Sequence, residues 1–227
     1  MKIALTGSQN VGKTTYIKDF LEKWPMYKTP NTSYREILKE KNLPHSKEAT
    51  EETQKVIMDF LVDQIITGSK EDFFITDRCV LDVLAYSCWL NLNGKLSDKF
   101  VDEQRILARE TLKLYDVIFF VPLTKVADIP IENDGFREID EQYRTEIDTI
   151  FKVFGDSYNK NDGRIFPYMD SPAWIEIFGS KQERIKMTEF YIAENGAAHG
   201  EDKSLLSEVI GASQNDLDVL LKDMGAK

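Results

Sequence analysis

Residues 7–14 limit what this chain can fold into more than any other stretch. The apolar run Ile3-Ala4-Leu5-Thr6 ends in Gly7, and Ser8, Gln9, Asn10, Val11, Gly12, Lys13 and Thr14 follow. Thr15 then leads into a helical pattern carrying Tyr16, Ile17, Phe20, Leu21 and Trp24, which Pro25 closes. The spacing G-x-x-x-x-G-K-[ST] between a strand and a helix is that of a loop that cradles phosphate. Successive backbone N–H groups converge on one concavity, and glycine permits the turn without a Cβ clash. The helix N-terminus behind it adds partial positive charge. Residues Gly7, Ser8, Gln9, Asn10, Val11, Gly12, Lys13, Thr14 and Thr15 are therefore expected to bind ATP. Lys13 would reach the β- and γ-phosphates, and the Thr14 hydroxyl would complete a Mg²⁺ shell.

The remaining composition narrows the function. A length of 227 residues suffices for one well-buried domain with a small appendage. The formal net charge of −10 argues against nonspecific binding to nucleic acid or to anionic membranes, which requires clustered Lys and Arg. A few arginines in one cleft still suffice for a small anionic substrate. Cys79 and Cys88 lie in apolar stretches and do not form a C-x-x-C pair, which points to buried thiols in a reducing cytoplasm. The only histidines, His45 and His199, are far from them in sequence, so a metal role for the cysteines is not expected. No apolar run approaches a membrane span, and the N-terminus enters a strand directly, without a signal peptide. A homodimer is compatible with this pattern.

Apolar runs at 3–6, 26–29, 73–76, 117–121 and 173–178 read as strands, the second of them weakly. Helical patterns separate them. Thr50-Glu51-Glu52-Thr53 starts a helix that Gly68 stops, and another helix, placing Ile139, Tyr143, Ile147, Phe151 and Phe154 on one side, is expected to end at Gly155. Alternating strands and helices specify an α/β fold of the P-loop NTPase type, with a parallel five-stranded sheet and helices on both faces. Ligands of such sheets bind at the carboxyl ends of the strands. Residues 1–194 form the domain, with a lid at about 123–145, and residues 195–227 form a C-terminal helical tail.

Thr76-Asp77-Arg78 ends the third strand on the same cleft as the phosphate loop. Asp77 can hold the water shell of Mg²⁺ or accept a proton from a hydroxyl, and Arg78 can clamp a phosphate with paired hydrogen bonds. Asn133-Asp134-Gly135-Phe136-Arg137, followed seven residues on by Arg144, suits a lid that brings arginine to the transferred phosphoryl group. Arg144 could equally pair with Asp140 or Asp148 on its own helix. Tyr34 could stack on a base, and Arg35 either binds the substrate's phosphate or faces solvent. Asp82 and Tyr86, one turn apart, could line the same pocket. Gly179-Ser180 with Arg184 either lies against adenine or is an ordinary turn.

On Gly7 to Thr14, on Thr76-Asp77-Arg78 with the run Leu81 to Tyr86, and on Asp134 to Arg137 with Arg144, the chain resembles the P-loop nucleoside and nucleotide kinases. Within them it is similar to the small AAA-type family that includes ribosylnicotinamide kinase domains, to phage-type deoxynucleoside monophosphate kinases and to thymidylate kinases. The resemblance covers about residues 1–194. It implies an ATP- and Mg²⁺-dependent kinase in which Lys13, Asp77, Arg78, Arg137 and Arg144 are catalytic. Tyr34, Arg35, Asp77, Arg78 and Tyr86 would contact the substrate, and Thr14 and Asp77 would contact the metal. Where such kinases often read Glu-Tyr-Ala-Arg, this chain has Thr32-Ser33-Tyr34-Arg35. A hydroxyl acceptor needs a base, whereas a monophosphate is already a nucleophile and needs arginines. The missing acid thus favours a (deoxy)nucleoside monophosphate over a nucleoside or ribosylnicotinamide. A kinase acting on DNA is disfavoured by the acidic balance, and a nucleotide-dependent regulatory ATPase or switch is the alternative outside the kinases.

Overall fold

The computed structural model describes residues 1–123 and 140–199. Four parallel strands, β1 (Lys2–Thr6), β2 (Phe74–Asp77), β3 (Val117–Phe120) and β4 (Ala173–Glu176), lie in the order β2-β1-β3-β4. Their residues alternate between two cores, as the two-residue period of a strand requires. Ile3, Leu5, Val117 and Phe119 face one side, against α1 (Lys13–Lys23), where Phe20 packs on Trp24 and Tyr27. Helix α7 (Lys181–Glu189) lies beside α1 on this face. Ala4, Ile118 and Phe120 face the other side, under α3 (Glu51–Gly68), α4 (Val80–Leu92), α5 (Asp98–Leu112) and α6 (Glu141–Lys160). A short helix α2 (Tyr34–Glu40) lies against α3. Burying each large side chain such as Phe119 stabilises the fold by roughly 1.5–3 kcal/mol.

Two expectations are corrected. The sheet has four strands among the described residues, not five. The segment at 26–29 contributes one bridge, in which Lys28 N–H donates to Phe73 O at 3.1 Å and Ile75 N–H donates to Lys28 O at 2.9 Å. Pro25 and Pro30 bracket it and supply no N–H for a longer ladder. Gly155 does not end α6, which runs on to Lys160 and stops at Asn161, in the left-handed conformation at φ 48°. The glycine answers to packing: a Cβ there would lie 3.0 Å from the Trp174 Nε1 on β4. Gly68 does close α3, where a Cβ would meet the Phe74 ring at 2.0 Å.

The stretch near Asn195 is tied to the domain. Trp24 Nε1 donates to Ala193 O at 2.9 Å, and the Tyr27 hydroxyl donates to Gly196 O at 2.7 Å. The lid motif at 133–137 and the tail from 200 onward lie outside the described residues.

Candidate active site

The phosphate loop hangs from the carboxyl end of β1. Gly7 has φ 142°, and a Cβ there would lie 2.5 Å from the Val121 carbonyl oxygen, so glycine lets the loop leave β1 alongside β3. Asn10 (φ 55°) and Gly12 (φ 80°) take the left-handed turns, and Gly12 is the N-cap of α1. Lys13 is buried, and its ammonium donates to the carbonyls of Gly7 at 2.9 Å and Ser8 at 2.6 Å. Burial, the largest influence, and then Arg78 lower its pKa to about 7, against the opposing pull of Asp82 and Asp77. The Ser8 hydroxyl is buried in the loop with no hydrogen-bond partner among the described residues.

Parallel pairing sets Asp77 opposite Leu5. This carries the β2 terminus to the loop, where Thr14 Oγ1 donates to Asp77 Oδ2 at 2.7 Å. A hydroxyl and a carboxylate side by side are hard oxygen donors that suit Mg²⁺. No group of three or more His, Cys, Asp or Glu forms a metal cage among the described residues.

Arg78 follows with φ 96°, rare for a residue with a side chain. Its N–H donates to Leu5 O at 2.9 Å, and its Nη1 donates to Asp82 Oδ1 at 2.7 Å. Asp82 Oδ2 accepts from Thr6 Oγ1 at 2.8 Å and from Cys79 N–H at 3.0 Å. Burial pushes the Asp82 carboxyl up; Arg78, Lys13 and these two hydrogen bonds pull it down. Desolvation acts against the Arg78 charge, but Tyr34, Asp82, Tyr86 and Asp77 outweigh it and raise its pKa well above the usual value. The net effect on Asp82 is upward, burial being the largest cause, and the two groups form a buried salt bridge. The guanidinium lies near the rings of Tyr34 and Tyr86, 5.7 and 5.8 Å from their centroids.

Arg78 and Tyr34 are shared by two openings. One, a cavity of about 50 Å³ between α2, α3 and α4, is lined by Gln9, Gln54, Asp82 and Tyr86 among others. The other, a groove of about 360 Å³, carries Thr14, Asp77, Thr32 and Arg35. Tyr34 and Arg78 thus line both openings, Tyr86 lines the first, and Arg35 and Asp77 line the second together with Thr14.

Arg144 does not pair with its helix neighbours. Its Nε donates to Gln9 O at 3.2 Å and its Nη2 to Asn10 O at 3.3 Å, while Asp148 takes the Leu123 N–H and Lys152. Arg184, also buried, donates to Val11 O at 2.7 Å and Gly179 O at 3.1 Å. Arg137 lies outside the described residues. Sequence reasoning missed Gln54, which is buried with Oε1 lacking a hydrogen-bond partner among the described residues. The signal was present: Gln54 sits on the same α3 stripe as Met58, Leu61 and Ile65, a polar residue on a buried face.

The parallel sheet, the phosphate loop and the acid at the neighbouring strand end define a P-loop nucleotide-binding fold. A family model described as an AAA domain, AAA_28, matches residues 2–161, and the chain belongs to that family. No curated protein matches the sequence. Among solved structures, deoxyadenosine kinase from M. mycoides with the products dCMP and dCDP is similar at 15% identity and a TM-score of 0.58, over 83% of this chain and 96% of that one. Thymidylate kinase from Candida albicans is similar at 14% identity and a TM-score of 0.52, over 83% and 89%. A NadR protein in complex with NR is similar at 17% identity and a TM-score of 0.53, over 73% of this chain and 45% of that one. The chain thus spans about half the length of the NadR chain it matches. These likenesses show that the chain shares the fold of those proteins.

Proposed function

We propose that this chain is an ATP-dependent phosphotransferase that moves the γ-phosphoryl group to a (deoxy)nucleoside monophosphate in the cytoplasm, where its two free thiols stay reduced. The observation that carries the reading is Arg78, which lines both the cavity between α2, α3 and α4 and the groove beside the phosphate loop. The cavity would take the base and sugar of the acceptor. Tyr34 and Tyr86 offer aromatic surface, and the Gln54 Oε1, without a partner among the described residues, offers an acceptor to a base edge. The acceptor phosphate would then sit in the groove between Arg35 and Arg78, in line with the loop. Thr32 also lines that groove, with the carboxylates of Glu36 and Asp77, the latter engaged by Thr14.

Lys13 would turn from the Gly7 and Ser8 carbonyls to the β- and γ-phosphates, where their charge restores its own. Thr14 and Asp77 would hold Mg²⁺, which would supply positive charge against that developing on the phosphates. Arg137 would act from the lid side, and Arg144 through the loop carbonyls it holds. The chain's own residues would contribute chiefly orientation and fixed charge, with no covalent intermediate.

One observation favours a nucleoside or ribosylnicotinamide acceptor instead. Arg78 is already bonded to Asp82, so its guanidinium is partly engaged before an acceptor phosphate arrives. Asp77 would then have to serve as base. A regulatory ATPase, by contrast, predicts slow hydrolysis with no acceptor. An ADP-release assay with ATP, Mg²⁺ and a panel of nucleosides and monophosphates separates all three, because the proposal requires turnover that appears only with a monophosphate. Within the kinase reading, Arg35→Ala is expected to raise the acceptor KM, and an unchanged value removes Arg35 from the phosphate site.

A further inference from the structure

Every carbonyl of the phosphate loop has a partner, and five consecutive ones are taken by cations. Lys13 of α1 holds the oxygens of Gly7 and Ser8, Arg144 of α6 holds those of Gln9 and Asn10, and Arg184 of α7 holds that of Val11. The Gly12 oxygen accepts the Tyr16 N–H at 3.0 Å and opens α1. Across a trans peptide the C=O of one residue and the N–H of the next point in opposite directions. A carbonyl pulled outward by an arginine therefore turns the following N–H to the other side. Arg144 does this for the N–H groups of Asn10 and Val11, and Arg184 does it for that of Gly12.

We infer that Arg184 is a positioning residue of the phosphate loop, which with Arg144 holds the loop's N–H groups preformed for a polyphosphate without touching it. Arg184 fits the task better than a surface arginine would. It is 4% exposed, and its second bond, to Gly179 O, fastens the loop to the turn between β4 and α7. Its helix is secured in turn, since Thr188 donates to the Arg184 carbonyl at 2.9 Å and meets the Tyr16 hydroxyl of α1. Lys13 can leave its carbonyls for phosphate, because the two arginines keep the rest of the loop in shape. A lysine at 184 would keep the charge but lacks the fork that spans two carbonyls. The inference rests on reading the loop as a triphosphate site, and it is independent of which acceptor is used.

The test is calorimetric binding of inorganic tripolyphosphate and of ATP to the full-length chain, with thermal melting recorded on each sample. Arg184→Met is expected to weaken both ligands by the same factor, about tenfold, the loss expected for a charge-assisted hydrogen bond. Arg184→Lys should fall between Arg184→Met and the unaltered chain. A cooperative melt with unchanged tripolyphosphate affinity in Arg184→Met would overturn the inference. If Arg184→Met does not fold, Arg184→Lys decides: weakened binding with a native melt supports the role, and full affinity overturns it. Absence of tripolyphosphate and ATP binding by the unaltered chain would overturn the inference and the triphosphate reading together. Absence of any acceptor, with binding intact, would overturn only the kinase reading.

Discussion

The phosphate loop and the acceptor cavity meet near Arg78, yet they are made in different ways. The loop is eight consecutive residues whose expected ligands are largely backbone N–H groups, and cationic side chains hold its carbonyls from outside. The cavity is assembled from separate elements, with Tyr34 from α2, Gln54 from α3 and Asp82 and Tyr86 from α4. Its polar character sits in side chains: a buried ion pair, an amide oxygen without a partner among the described residues, and two phenols. Backbone chemistry of this kind resists side-chain change, whereas a side-chain pocket can be retuned one residue at a time. The nucleotide end should therefore fail through few residues and fail completely, and the acceptor end should change selectivity in steps.

Lys13→Met should show the largest effect, lowering kcat/KM for ATP by about 10³, the low end of what one charge at a transferring phosphoryl group contributes. Steady-state kinetics should find the acceptor KM unchanged, and a loss confined to the acceptor side would break the division just drawn. Asp82→Asn comes next. It leaves Arg78 buried without its counter-charge, a cost of about 3 kcal/mol in urea unfolding. In the folded fraction the acceptor KM should rise while the ATP KM holds.

Gln54→Leu sharpens the contrast. Removing a buried amide whose Oε1 has no partner should leave the fold as stable or more so. The same change should lower kcat/KM for the preferred acceptor by about tenfold, if the amide reads the base. Smallest is a pH effect on the nucleotide side. Lys13 is held near a pKa of about 7 by burial and Arg78, and the triphosphate needs its charged form. Binding should therefore take up a proton, and affinity should be greatest below this value and lost as pH rises through it. Between pH 7 and 8 the fall should be about fivefold, measured by calorimetry.

The same division explains what could be read from the chain. The loop, the strand end at Asp77-Arg78 and the α/β order were legible, because each is a short-range pattern. Buried strands such as Val117-Ile118-Phe119-Phe120 announce themselves by composition. The fifth strand was not legible, because whether 26–29 pairs depends on prolines at both ends and on how far the edge of β2 is offered. Gly155 looked like a helix stop, and its real constraint is Trp174, from a strand that begins eighteen residues later. Arg144 and Arg184 carried no local sign that they reach the carbonyls of residues 9–11, because that contact spans more than 130 positions. Gln54 was hidden within a helix whose apolar stripe it shares.

The central claim is that the cleft around Arg78 transfers phosphoryl to an acceptor that already carries a phosphate. Its most direct test compares kcat/KM for each common nucleoside and for its own 5′-monophosphate, with ATP and Mg²⁺ at saturation and phosphorylated product detected. The account predicts that at least one monophosphate is converted and exceeds its nucleoside by about a hundredfold, the scale expected when two arginines meet a charged group. Preference for the nucleoside, or ATP consumption that no acceptor alters, would contradict it.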